Sequence, residues 1–172
     1  TLNTYEEDGS AMGRINAWWA AWNIAKHYPL GVGFSPNTRE LFGKYAPNPD
    51  VILAAHSIYF QPMGNHGFIG LALFLALWIA TWRSAGLLRT QKHLTPATQW
   101  TADMGAMCQV ALIGYASGGA FLSLAYFDLP YNIMVLVVLT RVWVEKQSWK
   151  TEPADSPRWM IWMGLAPARK AD

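Results

Sequence analysis

His56 is the side chain in this sequence best suited to proton transfer. It lies where a polar stretch rich in Gly and Pro gives way to a long apolar run. An imidazole titrates near neutral pH, so it can accept a proton from a hydroxyl group, which is otherwise a weak nucleophile. Position alone fits equally well a histidine that only caps the apolar segment.

Two arginines precede this histidine and could bind an anionic leaving group. Arg14 lies in a stretch rich in Trp, and Arg39 lies in the loop that follows. A guanidinium binds phosphate oxygens bidentately and stabilises the charge on a departing phosphate without a metal. Either arginine, or both, could hold a pyrophosphate. The alternative for Arg14 is a side chain that only reaches to a membrane interface.

The sequence gives no reason to expect a metal or another cofactor. Cys108 is the one cysteine, and the carboxylates do not cluster at the spacing of metal ligands. In one ideal helix, His66 would lie on a different face from His56. We therefore expect no two-histidine metal site, and we expect His66 to be structural or to line a substrate cavity.

The elements that carry these residues have the composition of a membrane protein. Of the 172 residues, 52% are hydrophobic and 14% are charged, whereas soluble domains carry roughly 25% charged residues. The ten Trp residues suit membrane–water interfaces. A net charge of +2 does not suggest a nucleic-acid partner. Because the sequence begins with Thr1 and shows no signal-peptide pattern, we interpret it as the C-terminal part of a larger protein.

Ala11 to His27 is expected to form an amphipathic helix that lies in the membrane interface. The helix should stop before Pro29, because the residue before a proline is pushed out of the helical region. Gly and Pro recur from Gly31 to Asp50, which predicts a loop. The apolar stripe of the helix has residues at helical spacing: Ile15, Trp18, Trp19 and Trp22.

Three later segments are apolar enough to suggest transmembrane helices. The first lies within 54–82, the second covers about 105–127 and the third covers about 131–144. We therefore predict an all-α, polytopic membrane protein with about three spans in this chain.

The charges of the loops predict how these spans are oriented. The connection at 83–101 and the tail at 149–172 are basic, which places both on the cytoplasmic side. Residues 1–55 would then form a loop on the outer, periplasmic side, and residues 56–148 would form the membrane domain. His56 would face the periplasm.

The residues that follow His56 resemble the signature of the O-antigen ligase superfamily. That signature is His, then Asn, Ser or Gln, then nine residues and Gly-x-x-Gly; here Ser57 follows the histidine and the glycines are Gly67 and Gly70. The stretch from Glu7 to Phe34 also looks like the region upstream of that signature, where an Arg opens an aromatic helix. The combined pattern is most similar to O-glycosylation ligases associated with the exosortase system.

This resemblance implies a metal-independent glycosyltransferase of the bacterial inner membrane. It would move a glycan from an undecaprenyl pyrophosphate carrier to a hydroxyl of a lipid, polysaccharide or protein acceptor, on the periplasmic side. His56 and Arg14 would be catalytic. The expected substrate-binding residues are Arg39, Ser57, His66, Gly67 and Gly70, although the two glycines suit helix packing even better.

Three other functions stay open at this point. An O-antigen or exopolysaccharide polymerase of the same superfamily would differ only in its acceptor, another carrier-linked glycan. A transporter or channel segment would place charged or broken positions at mid-span, and the first two predicted spans lack charges there. A passive scaffold would retain its function when His56 is replaced.

Overall fold

The computed structural model describes residues 9–90, 94–96 and 98–150, and these residues form an all-α structure. Five α-helices and one 3-10 turn at Ser148–Lys150 follow one another, without a strand in the described ranges. The all-helical part of the predicted fold class is therefore confirmed. The helices are α1 (Gly9–His27), α2 (Arg39–Tyr45), α3 (Phe60–Arg89), α4 (Gln99–Gly119) and α5 (Asp128–Glu145).

Helix α1 forms where the periodicity predicts it and packs through small residues. Ala17, Ala20 and Ala25 are almost completely buried against α2 and the start of α3. Of the tryptophans in the predicted stripe, Trp19 is 54% exposed and Trp22 is 42% exposed, whereas Trp18 stacks on Phe60 at the start of α3. The helix thus uses its alanine face for internal packing, and its aromatic face is only partly covered.

Helix α2 corrects the expectation of an uninterrupted loop from Gly31 to Asp50. Its first turn is capped by Thr38, whose hydroxyl accepts a hydrogen bond from the Leu41 amide at 3.2 Å. Phe42 is 1% exposed and packs on α1. The packing of Phe42 and the cap at Thr38 therefore stabilise a helix here, although the surrounding Gly and Pro residues predict a loop.

Helix α3 is the only helix in the described ranges that is long and apolar enough to cross a membrane. Just 22% of its most apolar window is buried within the chain, which leaves most of its apolar side chains to contact something else. The helix is interrupted at Gly67, whose backbone has φ 66° and ψ −167°. The prediction of one continuous helix through this point is therefore wrong.

Helices α4 and α5 form near the second and third predicted spans, but with different ends. Helix α4 stops at Gly119, so residues 120–127, predicted as helix, form an irregular connection. Helix α5 begins at Asp128 and carries Pro130 in its first turn, where a proline is tolerated. Helices α4 and α5 are 21 and 18 residues long, but neither meets the combined standard of length, hydropathy and charge that α3 meets, so three spans are not established.

Helix α3 extends to Arg89, further than predicted. Lys92 and the tail after residue 150, which carry part of the orientation argument, lie outside the described residues.

Helices α3, α4 and α5 pack together around two apolar clusters. The cluster at the C-terminal end of α3 contains Ala85, Leu88, Cys108, Leu112, Ile133 and Val137. The cluster nearer His56 contains Ile58, Phe74, Trp78, Tyr115 and Ala125.

Candidate functional site

His56 lies in the segment that leads into α3 and has an unusual backbone. It is half-buried, and its φ is 44°, in the left-handed region. Such a conformation costs a non-glycine residue about 1–2 kcal/mol and persists only where the surroundings impose it. Because His56 precedes the helix, the helical-wheel argument that separated it from His66 does not apply.

Helix α1 fixes the chain on the N-terminal side of His56. The Trp18 indole Nε1 donates a hydrogen bond to the Ala55 carbonyl at 2.6 Å. The same indole stacks on Phe60, with ring centroids 4.9 Å apart and an interplanar angle of 5°. Trp18, predicted as part of an interface stripe, is therefore also a structural support of the histidine.

Helix α4 fixes the chain on the C-terminal side of His56. Ile58 is fully buried, and its amide donates to the Gly119 carbonyl at 2.9 Å. Ser57 is 1% exposed, and its hydroxyl accepts from the Tyr59 amide at 3.3 Å. This geometry favours a role for Ser57 in starting α3 over direct contact with a substrate.

The side chain of His56 contacts a residue from the second half of the chain. Its Nδ1 lies 3.0 Å from the hydroxyl oxygen of Ser123, in the connection between α4 and α5. The sequence analysis missed Ser123, because no local pattern signals a contact between residues 67 positions apart. Phe121 of the same connection lies against Trp18, with ring centroids 6.0 Å apart.

A glycine of the upstream stretch and a glycine of the signature lie in two segments that interlock. Gly31 has φ 82° and Gly67 has φ 66°. A Cβ at Gly31 would overlap the Asn65 carbonyl oxygen, and a Cβ at Gly67 would overlap the Pro29 carbonyl oxygen. The Gly33 amide also donates to the Asn65 carbonyl at 2.8 Å. The loop after α1 and the break in α3 therefore meet backbone to backbone, which favours a structural role for Gly67.

Gly70 and His66 form the other side of this break. A Cβ at Gly70 would overlap the Cβ of His66, so the glycine makes room for the histidine. The His66 ring lies 4.8 Å from Phe34 and 6.2 Å from Tyr126, measured between centroids. Three aromatic rings thus meet beside the break, and Tyr126 lies three residues after Ser123.

The Tyr126 hydroxyl is tied to α3 by Asn65, whose side-chain amide donates to it at 2.9 Å. Partial burial raises the pKa of Tyr126, and the hydrogen bond from Asn65 partly opposes this. The tyrosine is therefore neutral at physiological pH, and it is available as a hydrogen-bonding group rather than as a base.

Arg14 lies on α1 one turn before Trp18, about 6 Å away along the helix axis. It is half-buried, and its guanidinium makes no hydrogen bond or ion pair with any residue that the structure describes. Residues four positions apart on a helix lie on the same face. Arg14 is therefore on the same face of α1 as Trp18, whose indole donates a hydrogen bond to the Ala55 carbonyl. This leaves its charge free for a ligand on the His56 side.

Arg39 is placed differently from Arg14. It opens α2, is exposed, and likewise makes no polar contact within the described ranges. Among the residues that the structure describes, no hydrogen bond or ion pair joins Arg39 to Arg14 or to the residues around His56. Among the described residues, no group of three or more His, Cys, Asp or Glu side chains could hold a metal ion.

The comparisons with known proteins bear on the part of the candidate site that lies within residues 1–75. Neither the curated proteins nor the solved structures contain a significant match to the chain. The family model described as O-Antigen ligase matches residues 1–75, which include Arg14, His56 and both glycines of the signature. This match supports the superfamily indicated by the motif, a membrane ligase or polymerase type of function, and a glycosyl-transferring enzyme that acts on lipid-linked polysaccharide.

Proposed function

We propose that the protein transfers a glycan from an undecaprenyl pyrophosphate carrier to an acceptor hydroxyl on the periplasmic side of the bacterial inner membrane. His56 removes the proton from the acceptor hydroxyl as that oxygen attacks the anomeric carbon. The bond from the anomeric carbon to the pyrophosphate oxygen breaks, and the carrier pyrophosphate leaves. No metal is needed, since arginine can neutralise the charge that develops on the leaving group.

The observation that carries this proposal is the placement of His56. Its left-handed backbone is held by Trp18 of α1 on one side and by Gly119 of α4 on the other. A histidine that merely capped a helix would not need a strained backbone anchored by two other helices. Strained, over-determined residues cluster at functional sites.

Arg14 is the first choice for the pyrophosphate ligand. Its guanidinium is unpaired within the described residues, and it lies on the same face of α1 as the indole that supports Ala55. Arg39, exposed at the start of α2, is a second cation that would bind the carrier or the glycan further from the reacting bond. His66 would line the substrate cavity, while Ser57, Gly67 and Gly70 shape it.

The acceptor is the finer question. The proposed chemistry needs only a hydroxyl, which a lipid, a polysaccharide or a protein acceptor would each supply. A polymerase is the second candidate, because it needs the same base and the same leaving group. A transporter is less favoured, since the interruption of α3 falls at Gly67, near the start of the helix, instead of at its middle.

Reconstitution tests this function directly. Purified full-length protein in lipid nanodiscs would be given carrier-linked glycan and, in separate reactions, lipid, protein or carrier-linked acceptors. We expect release of the carrier pyrophosphate together with one glycosylated acceptor. A ladder of longer carrier-linked products would identify a polymerase. No transfer to any acceptor by folded protein would contradict both forms of the proposal.

A further inference from the structure

We propose that Ser123 is a positioning residue for His56, and that it makes Nε2 the ring nitrogen that accepts the proton. This inference rests on the proposed function, because it concerns the same histidine. Within the described part of the chain, the contact with Ser123 at 3.0 Å is the one hydrogen bond of the His56 ring, and it uses Nδ1. Nε2 is then the nitrogen left for a substrate.

Ser123 is held in place by the residues that follow it. The carbonyl of Leu124 accepts a hydrogen bond from the Tyr115 hydroxyl. The carbonyl of Ala125 accepts from the Tyr131 hydroxyl at 2.8 Å, and Ala125 is fully buried. Hydroxyls from α4 and α5 therefore anchor the connection directly after Ser123. Although the serine is exposed, its backbone position is set by buried contacts.

His56 and Ser123 are also held relative to each other. The Ile58 amide donates to the carbonyl of Gly119, the last residue of α4, and the connection with Ser123 begins at the next residue. A Cβ at Gly119 would collide with the Ile58 side chain, so the two segments are in close contact. The distance from the serine hydroxyl to the imidazole thus follows from helix packing.

The direction of this hydrogen bond decides which chemistry His56 can perform. A serine hydroxyl can donate or accept. If Ser123 donated to Nδ1, the proton of a neutral imidazole would sit on Nε2, which could not act as a base. If Nδ1–H donates to the Ser123 oxygen, Nε2 carries the free lone pair. A base that works from Nε2 therefore requires Ser123 as an acceptor.

The hydrogen bond between Nδ1–H and Ser123 contributes at two stages, before the transfer and after the proton has moved. Before the reaction it fixes the tautomer and the ring orientation, so that the Nε2 lone pair is available to the acceptor hydroxyl. The proton moves from that hydroxyl to Nε2 while the oxygen bonds to the anomeric carbon and the pyrophosphate oxygen leaves with the electron pair. The imidazolium that results donates more strongly from Nδ1–H to the serine oxygen, which stabilises the charge.

Kinetics of the full-length protein test the role of Ser123. Ser123→Ala should lower kcat about tenfold, with KM changed by less than about twofold, because a hydrogen bond that orients the base is lost while substrate contacts remain. Ser123→Thr keeps the hydroxyl and should retain most of the rate. Ser117→Ala is the matched control, since Ser117 is exposed on α4 and bonds only to carbonyls of its own helix.

A double mutant separates positioning from independent action. If Ser123 acts through His56, then Ser123→Ala should have no further effect in the His56→Ala background. Loss by the same factor in both backgrounds would contradict the proposal, as would a wild-type kcat per folded molecule in Ser123→Ala. A glycan covalently attached to Ser123, seen by mass spectrometry of stalled reactions, would show a serine nucleophile and also contradict it.

The proposed function and this inference fail in different ways. If His56→Ala transfers glycan at the wild-type rate, the function assigned to the histidine is wrong, whatever Ser123 does. If His56→Ala is inactive while Ser123→Ala is fully active, only the role of Ser123 is wrong.

Discussion

At the residue scale, the arrangement around His56 separates groups that react from groups that support them. His56 and Arg14 have polar groups left over for a ligand, whereas Trp18, Ser57 and Gly67 have theirs engaged within the chain or have no room for one. Replacing a supporting residue should lower the stability of the protein, whereas replacing a reacting residue should lower the rate of glycan transfer. The two classes therefore call for different measurements.

Arg14→Lys tests whether the guanidinium geometry matters beyond its charge. Lysine keeps the positive charge but cannot bind two phosphate oxygens as a planar fork. We expect kcat/KM to fall by about 10- to 100-fold, the cost of about 1.5–3 kcal/mol for one lost charge-assisted hydrogen bond. Protein abundance should stay unchanged.

The control for this substitution is Arg83→Lys, on α3 far from His56 in sequence and on the side predicted to be cytoplasmic. It should leave glycan transfer unaffected. Equal rates for wild type and Arg14→Lys would show that Arg14 is only a cation at the membrane interface.

At the element scale, the fold depends on a crossing of the loop from Pro29 to Gly33 with the part of α3 around its break, Asn65 to Ile69. The Ile69 amide donates to the Pro29 carbonyl at 3.4 Å, and the Gly33 amide donates to the Asn65 carbonyl at 2.8 Å. Helix α1 is thus tied to the break in α3, and Trp18 on α1 is tied to Ala55 beside the catalytic candidate. The position of His56 depends on this crossing.

Gly67→Ala should therefore destabilise the protein strongly. Alanine at positive φ costs about 1–2 kcal/mol, and its Cβ would also overlap the Pro29 carbonyl oxygen. We expect a total loss above about 2 kcal/mol, seen as a lower thermal midpoint and lower abundance in membranes.

Gly114→Ala provides the matched control, because a Cβ there meets nothing within 4 Å. It should be neutral or slightly stabilising, since alanine favours helix over glycine. A Gly67→Ala protein as stable as Gly114→Ala would contradict the crossing described here.

The sequence predicted the elements that have a regular pattern, and it failed where distant contacts decide. The helical spacing around Trp18 identified α1. The segment at 120–127 is apolar and uncharged, which predicts a span, whereas α4 ends at Gly119, whose carbonyl accepts a hydrogen bond from the Ile58 amide. Ser123 could not be predicted for the same reason, because it comes to lie beside His56 only when α3 and α4 pack together.

At the scale of the whole molecule, the family match and the site cover different parts of the chain. The match ends at residue 75, while Ser123 and Tyr126 reach the site from the second half. The helices that follow the matched region therefore contribute to the site and do more than anchor it. We therefore predict that the orientation of α3 determines which side of the membrane the candidate site faces.

The predicted orientation places position 56 in the periplasm and position 92 in the cytoplasm. The basis is the set of basic residues from Arg83 to Lys92, at and beyond the end of α3, together with the basic tail. Single cysteines would be introduced at each position in a Cys108→Ser background and probed in spheroplasts with a membrane-impermeant thiol reagent. We expect labelling at position 56 only. Labelling at position 92 and not at 56 would reverse the orientation.

The central claim is that His56 is the base for glycan transfer, and His56→Ala tests it most directly. Transfer from carrier-linked glycan to acceptor would be measured with protein level in the same membranes, beside His27→Ala, which alters an exposed histidine on α1. We expect His56→Ala to lose about 10² to 10⁴ of the rate, with a stability cost of about 1 kcal/mol, while His27→Ala stays active. Normal abundance and a wild-type rate for His56→Ala would contradict the account.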